Sequence, residues 1–182
     1  MKPTVFQSRH INIADVQRSS KWFSDKARSM RSVNRMAIMR TPGATNQIKP
    51  GGLYFFFYDP KCKDTLPFWD TFPMVFPLSA TSETFYGLNM HYLPYDVRFR
   101  VFEELLKIHG TSLDDNKKMK MKWEVISGIS KLGPLSNCIK QYRFDHVQSP
   151  FVEVPKEEWA TAMMMPVHNF VGASASKIWS RK

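Results

Sequence analysis

From Leu53 onward, short apolar and aromatic runs alternate with polar turns that carry proline or glycine, a pattern that predicts strands first and helices later. Leu53 to Tyr58 is an unbroken apolar and aromatic run, Asp59-Pro-Lys-Cys-Lys-Asp64 is a polar turn, and Phe72 to Leu78 and Thr84 to Tyr92 are further strand candidates. Pro67, Pro73 and Pro77 donate no ladder hydrogen bond, which predicts an edge, a bulge or an irregular loop for the middle of this region. Helical spacing takes over at Leu93-Pro-Tyr-Asp96, where Val97, Val101, Phe102, Leu105 and Ile108 share a face until Gly110. A second helix is expected from Asn116, with Met119, Trp123, Ile126 and Ile129 as its stripe and Gly133-Pro134 as its end. Asn137 to Val147 reads as a short third helix and Phe151 to Val154 as a short strand. Pro155-Lys-Glu-Glu-Trp159 reads as the start of a helix that Pro166 ends. Ile178-Trp179 closes a small, polar tail, where its exposure is costly unless it docks.

The expected fold is therefore an α+β domain over residues 51–182, a small twisted antiparallel sheet or SH3-like barrel packed with three to four helices. Upstream the pattern differs. Before Arg40 there is no glycine and only Pro3, so a long helix is allowed from about Ile13 to Ile38, capped by Asn12 or Asp15. Its apolar side holds Val16, Phe23, Ala27, Met30 and Ala37, and the adjoining side Arg18, Lys21, Arg28, Arg31 and Arg35. Thr41 to Gly52, rich in proline, glycine and small polar residues, reads as a linker, so residues 1–50 form a basic helical arm with its connection.

Charge sharpens this division. Ten basic residues of the first fifty face only Asp15 and Asp25, and these fifty positions hold most of the chain's net charge of +10. A cationic arm on a nearly balanced body points to an acidic partner, nucleic acid or an acidic protein surface. Candidate contacts are Arg18, Lys21, Arg28, Arg31 and Arg35, with a secondary patch at Lys117, Lys118, Lys120 and Lys122. No apolar run approaches the roughly 20 residues of a membrane span, and the basic start lacks the apolar stretch of a secretory signal.

Reactive chemistry finds little support. Cys62 and Cys138 are isolated and read as free thiols, and no two of the five histidines stand three or four apart, so no zinc site is indicated. Gly51-Gly52 lacks the rest of a phosphate loop. Asp59, Asp64 and Asp70 fall close enough in sequence to raise a carboxylate-held metal and a nuclease reaction, but aspartate beside proline is also ordinary turn chemistry. Tyr54, Phe56 and Tyr58 suit base stacking if exposed and a core if buried, with burial the expectation, and Met163-Met-Met165 reads as core or interface filling. His91 reads as a hydrogen-bonded structural imidazole. No cofactor and no catalytic residue is assigned.

Four segments carry a resemblance: Gly52-Leu-Tyr-Phe-Phe-Phe-Tyr-Asp-Pro-Lys61 with Leu66-Pro-Phe-Trp-Asp-Thr-Phe-Pro73; Gly87-Leu-Asn-Met-His-Tyr-Leu-Pro94; Cys138-Ile-Lys-Gln-Tyr142 with His146-Val-Gln-Ser149; and Val152-Glu-Val-Pro-Lys-Glu-Glu-Trp159 with Met165-Pro-Val167. Together, and in this order, they resemble a family of small proteins from large contractile-tailed bacteriophages. The resemblance implies a phage protein, either a virion component near the packaged genome, neck or tail, or an accessory that acts on DNA ends or replication intermediates. It carries over no catalytic residue. The leading expectation is a non-enzymatic virion protein, assembled in the host cytoplasm, whose arm docks on other phage structural proteins within an oligomeric assembly and contacts DNA. The DNA-binding accessory is the alternative, and a carboxylate-metal nuclease comes third.

Overall fold

The computed structural model describes residues 34–109 and 137–180, with Lys117, Lys120, Glu124, Val125 and Gly128 between them. Its elements are α1 (Arg35–Met39), β1 (Ala44–Thr45), β2 (Tyr54–Phe55), β3 (Trp69–Asp70), β4 (Met74–Ala80), β5 (Thr84–Asn89), α2 (Tyr95–His109), β6 (Ile139–Arg143), β7 (Phe151–Glu153), α3 (Trp159–Met164), β8 (Phe170–Val171) and α4 (Ala175–Trp179). The fold is α+β. Six strands form one sheet in the order β1-β7-β2-β4-β5-β6, every pair antiparallel, while β3 and β8 form a separate two-stranded ribbon. With β1 and β6 at opposite edges, the sheet is open, so of the two architectures expected it is the twisted sheet and not the barrel.

The unbroken aromatic run at β2 follows from burial on both faces. Strand side chains alternate sides, so Phe55 joins Phe72, Met74, Phe76, Leu88, Phe99 and Trp159 in the larger core, whereas Tyr54, Phe56 and Tyr58 join Val75, Phe85, Tyr142 and Phe151 in a smaller one opposite. Phe56 meets Tyr142, Phe151 and Phe85 edge-on at centroid separations of 5.3, 5.0 and 5.8 Å. These aromatics build a core, and base stacking is closed to them. Met163, Met164 and Met165 are likewise fully buried.

Four expectations are corrected. Asn137 to Val147 is not a helix: Ile139–Arg143 is a strand in five-residue register with β5, followed by a single 3-10 turn at Phe144–His146. Ring stacking of Tyr142 on Phe85 at 5.0 Å and the ladder itself outweigh the segment's neutral local propensity. The strand at Thr84 stops at Asn89, whose side chain accepts from His91 N and caps a 3-10 turn at Met90–Tyr92. The stretch expected as a linker contributes β1, paired with β7, and Ile38 and Thr41 just before it are buried. The long helix does not run through to Ile38: Asn34 is extended, at φ −92° and ψ 136°, and caps a new short helix by accepting from Met36 N. The rest of that expected helix lies outside the described residues.

Proline placement follows the physics of the ladder. Pro77 lies in an interior strand, and the β4–β5 register shifts between Pro77 and Ser79, the bulge that a missing donor calls for. Opposite it, Gly87 leaves no room for a side chain: an added Cβ would collide with Val75 Cγ1 and sit 3.0 Å from the Phe76 carbonyl oxygen. Gly87→Ala is expected to cost about 2–3 kcal/mol by overpacking and to lower the urea midpoint accordingly. A midpoint equal to wild type would contradict the packing described.

Candidate nucleic-acid interface and its anchor

Of the basic residues singled out from sequence, Arg18, Lys21, Arg28, Arg31, Lys118 and Lys122 lie outside the described residues, and Lys117 and Lys120 are helical and exposed. Arg35 is different. Expected on the free cationic face of the arm, it turns inward: its Nε donates to the Val167 carbonyl and its Nη2 to the His168 carbonyl, both at 2.7 Å. Burial pulls its guanidinium below the ordinary arginine value, with Asp70 opposing. With Ile38 fully buried one turn later, α1 fastens the lower end of the basic segment to the body.

The loop that Arg35 grips is itself pinned. Asn169 donates its backbone N–H to Asp70 Oδ1 at 3.2 Å and its side-chain amide to Thr71 Oγ1 at 2.5 Å, and Thr71 returns its N–H and hydroxyl to the Asn169 carbonyl at 3.0 and 3.1 Å. Asp70, at the end of β3, is almost fully buried and accepts four hydrogen bonds. Oδ1 takes Phe72 N at 3.0 Å and Asn169 N; Oδ2 takes Asn89 Nδ2 at 3.2 Å and His91 Nδ1 at 2.8 Å. Burial alone would raise its pKa, but His91 and the two backbone N–H groups outweigh it, and the carboxyl is held below its ordinary value.

An ionised Asp70 only accepts, so His91 Nδ1 carries the donated proton and the ring is neutral, its pKa lowered by burial against the pull of Asp70. Its Nε2 and the Nδ1 of His168 are buried without a protein partner, and the two rings lie 5.9 Å apart. Beneath them Arg98, fully buried on α2, donates to the carbonyls of Leu93 at 2.8 Å, Met163 at 3.2 Å and His91 at 3.3 Å. Its guanidinium lies 4.5 Å from the Tyr95 ring centroid and 5.5 Å from that of Trp179. Trp179 closes the cluster by donating Nε1 to the His91 carbonyl at 2.8 Å, so the tail docks through α4.

The hydrogen bonds of this cluster tie β3, α2, the Val167–Asn169 loop and α4 together. The three carboxylates that were close in sequence part company: Asp59 is exposed and pairs with Lys63 at 3.0 Å, Asp64 is exposed, and Asp70 is sequestered by its donors. Among the described residues no three His, Cys, Asp or Glu side chains converge to hold a metal. His91, 0% exposed, is out of reach of a substrate in this conformation. Sequence reasoning missed Arg98, yet a signal was present: it stands three and four residues before Val101 and Phe102, on the apolar stripe of its helix. Both cysteines are free thiols, and no helix among the described residues is long and apolar enough to cross a membrane.

Residues 6–182 match the family model described as Phage T4 terminal DNA protecting protein. No curated protein and no solved structure matches the chain.

Proposed function

The chain belongs to the phage T4 terminal DNA protecting protein family, and we propose that it is a DNA-binding accessory that covers the ends of linear duplex DNA without chemistry of its own. The observation that carries this reading is the family match itself, which spans the cationic segment as well as the folded body. Charge supplies the physical means. Each cation that neutralises a phosphate releases condensed counterions, so a cluster such as Arg18, Lys21, Arg28 and Arg31 gives affinity that falls steeply with salt. A rigid body held beside that cluster then blocks the terminus by occupying it.

This reading takes precedence over docking among virion structural proteins. Permanent subunit interfaces are apolar at their centre, and the exposed large apolar residues of the described surface are only Met36, Leu66, Tyr86 and Val171. The test is protection of end-labelled linear duplex from an added exonuclease, with covalently closed circular DNA as competitor. Protection is expected at low salt and is lost as salt rises, and circles compete poorly. Replacing Arg18, Lys21, Arg28 and Arg31 with glutamine is expected to reduce the slope of log K against log salt by roughly 3 to 4. Absence of protection at every salt concentration would overturn the reading, and equal competition by circles would reduce it to general DNA binding.

A further inference from the structure

We infer that Arg35 is a positioning residue, the clamp that holds α1, at the root of the cationic segment, on the body, and not one of the cations that neutralise phosphate. The inference deepens the proposed function and rests on it for its DNA arm, though the clamp itself has a readout that needs no DNA.

The geometry separates Arg35 from its basic neighbours in the sequence. Two nitrogens of one planar fork meet two successive carbonyls, Val167 and His168, at equal distances of 2.7 Å. These acceptors belong to a loop that Asp70 and Thr71 already hold through Asn169, so the fork closes on a preformed site 132 residues away in the chain. On the other side of the clamp, Asn34 caps the start of α1 and Ile38 is fully buried, so α1 is a short peg held against the body. Turning the guanidinium toward a phosphate would leave two carbonyls without their partner and free the root of the cationic segment at the same moment. A tethered cluster loses effective concentration at its target when its root is released, even though every phosphate contact survives.

Charge and geometry therefore give different signatures. In Arg35→Gln, binding to linear duplex ends is expected to weaken about tenfold at all salt concentrations while the slope of log K against log salt stays at the wild-type value. Arg31→Gln, measured in parallel, is expected to lower that slope by about 0.9. Arg35→Lys keeps the charge but lacks the fork, so it is expected to behave as Arg35→Gln does. Hydrogen exchange of the free proteins reports on the clamp directly: the amides of α1 and the turn that closes it, Ala37 to Thr41, are expected to exchange at least tenfold faster in Arg35→Gln, with β4 and β5 amides unchanged as the control for folding. Unaltered α1 exchange would overturn the clamp. A slope reduced by about 0.9 in Arg35→Gln, or restoration of binding by Arg35→Lys, would make Arg35 a phosphate contact. If wild type shows no preference for ends while α1 exchange responds as expected, the end-protection reading fails and the clamp stands.

Discussion

Asp70→Ala is expected to lower stability by about 3–5 kcal/mol, the largest effect of any single side-chain deletion considered for this protein. The carboxylate satisfies four donors at once, from Phe72, Asn169, Asn89 and His91, and three of these residues, Phe72, Asn89 and His91, are fully buried, shielded from water that could replace it. Its removal also takes away a negative charge that favours the charged form of the buried Arg98, whose own pKa burial has already pulled down to about 10. For a chain of this size the loss corresponds to a fall of roughly 10 °C in Tm, measurable by calorimetry. Asp70→Asn separates charge from space, because it fills the same volume and retains one carbonyl oxygen for the backbone donors. It is expected to cost about half as much. The damage should also spread to the arm's root: Asn169 loses an anchor, the carbonyls of Val167 and His168 lose their fixed position, and α1 amides gain exchange. A Tm for Asp70→Ala within a degree of wild type would remove Asp70 from the centre of this account.

Neither Asp70's importance nor Arg35's could be weighed from the sequence, and the reason is the same for both. Asp59, Asp64 and Asp70 look alike along the chain, but the turn after Tyr58 leaves the first two in solvent while β3 carries the third under the sheet. Arg35 looks like Arg31 or Arg28, and only acceptors 132 residues downstream make it different. Patterns set by local physics were legible. The helix start after Pro94 and the strand at Phe151 appear where periodicity and capping put them, the aromatic run from Leu53 holds β2 at Tyr54–Phe55, and the segment after Pro155 opens as a 3-10 turn at Lys156–Glu158 before α3 ends ahead of Pro166. Ile139-Lys-Gln-Tyr-Arg143 was not legible, because it has no period of its own and becomes a strand through the ladder offered by β5. Partnership across the chain decides its state, and no window of neighbouring residues contains that information.

The same burial that hides the cluster makes it acid-sensitive. His168 is held neutral, its pKa brought down to about 3 chiefly by burial and further by the charge of Arg98. His91 is shifted in the same direction. In the unfolded chain both rings take up protons as the pH falls through about 6.5, whereas in the folded protein they do so only at lower pH, so the unfolded state binds more protons and stability declines. For His168 the full contribution is present above pH 6.5 and is lost progressively down to about pH 3, at about 1.4 kcal/mol per pH unit once the unfolded imidazole is protonated. Asp70 acts lower in the range: its depressed value means that its contribution holds above about pH 4 and is lost only as the pH falls further. Between pH 6 and 4.5 the histidines therefore dominate among the cluster's groups. His168→Phe keeps an aromatic ring against Phe170 and Trp179 and removes the titration. Urea unfolding across this interval should show wild-type stability falling by at least about 2 kcal/mol, the share of His168 alone, and a decline shallower by close to one proton in the variant. Wild-type stability that stays level from pH 6 to 4.5 would mean that these rings accept protons in the folded protein, and the buried cluster would then be open to water.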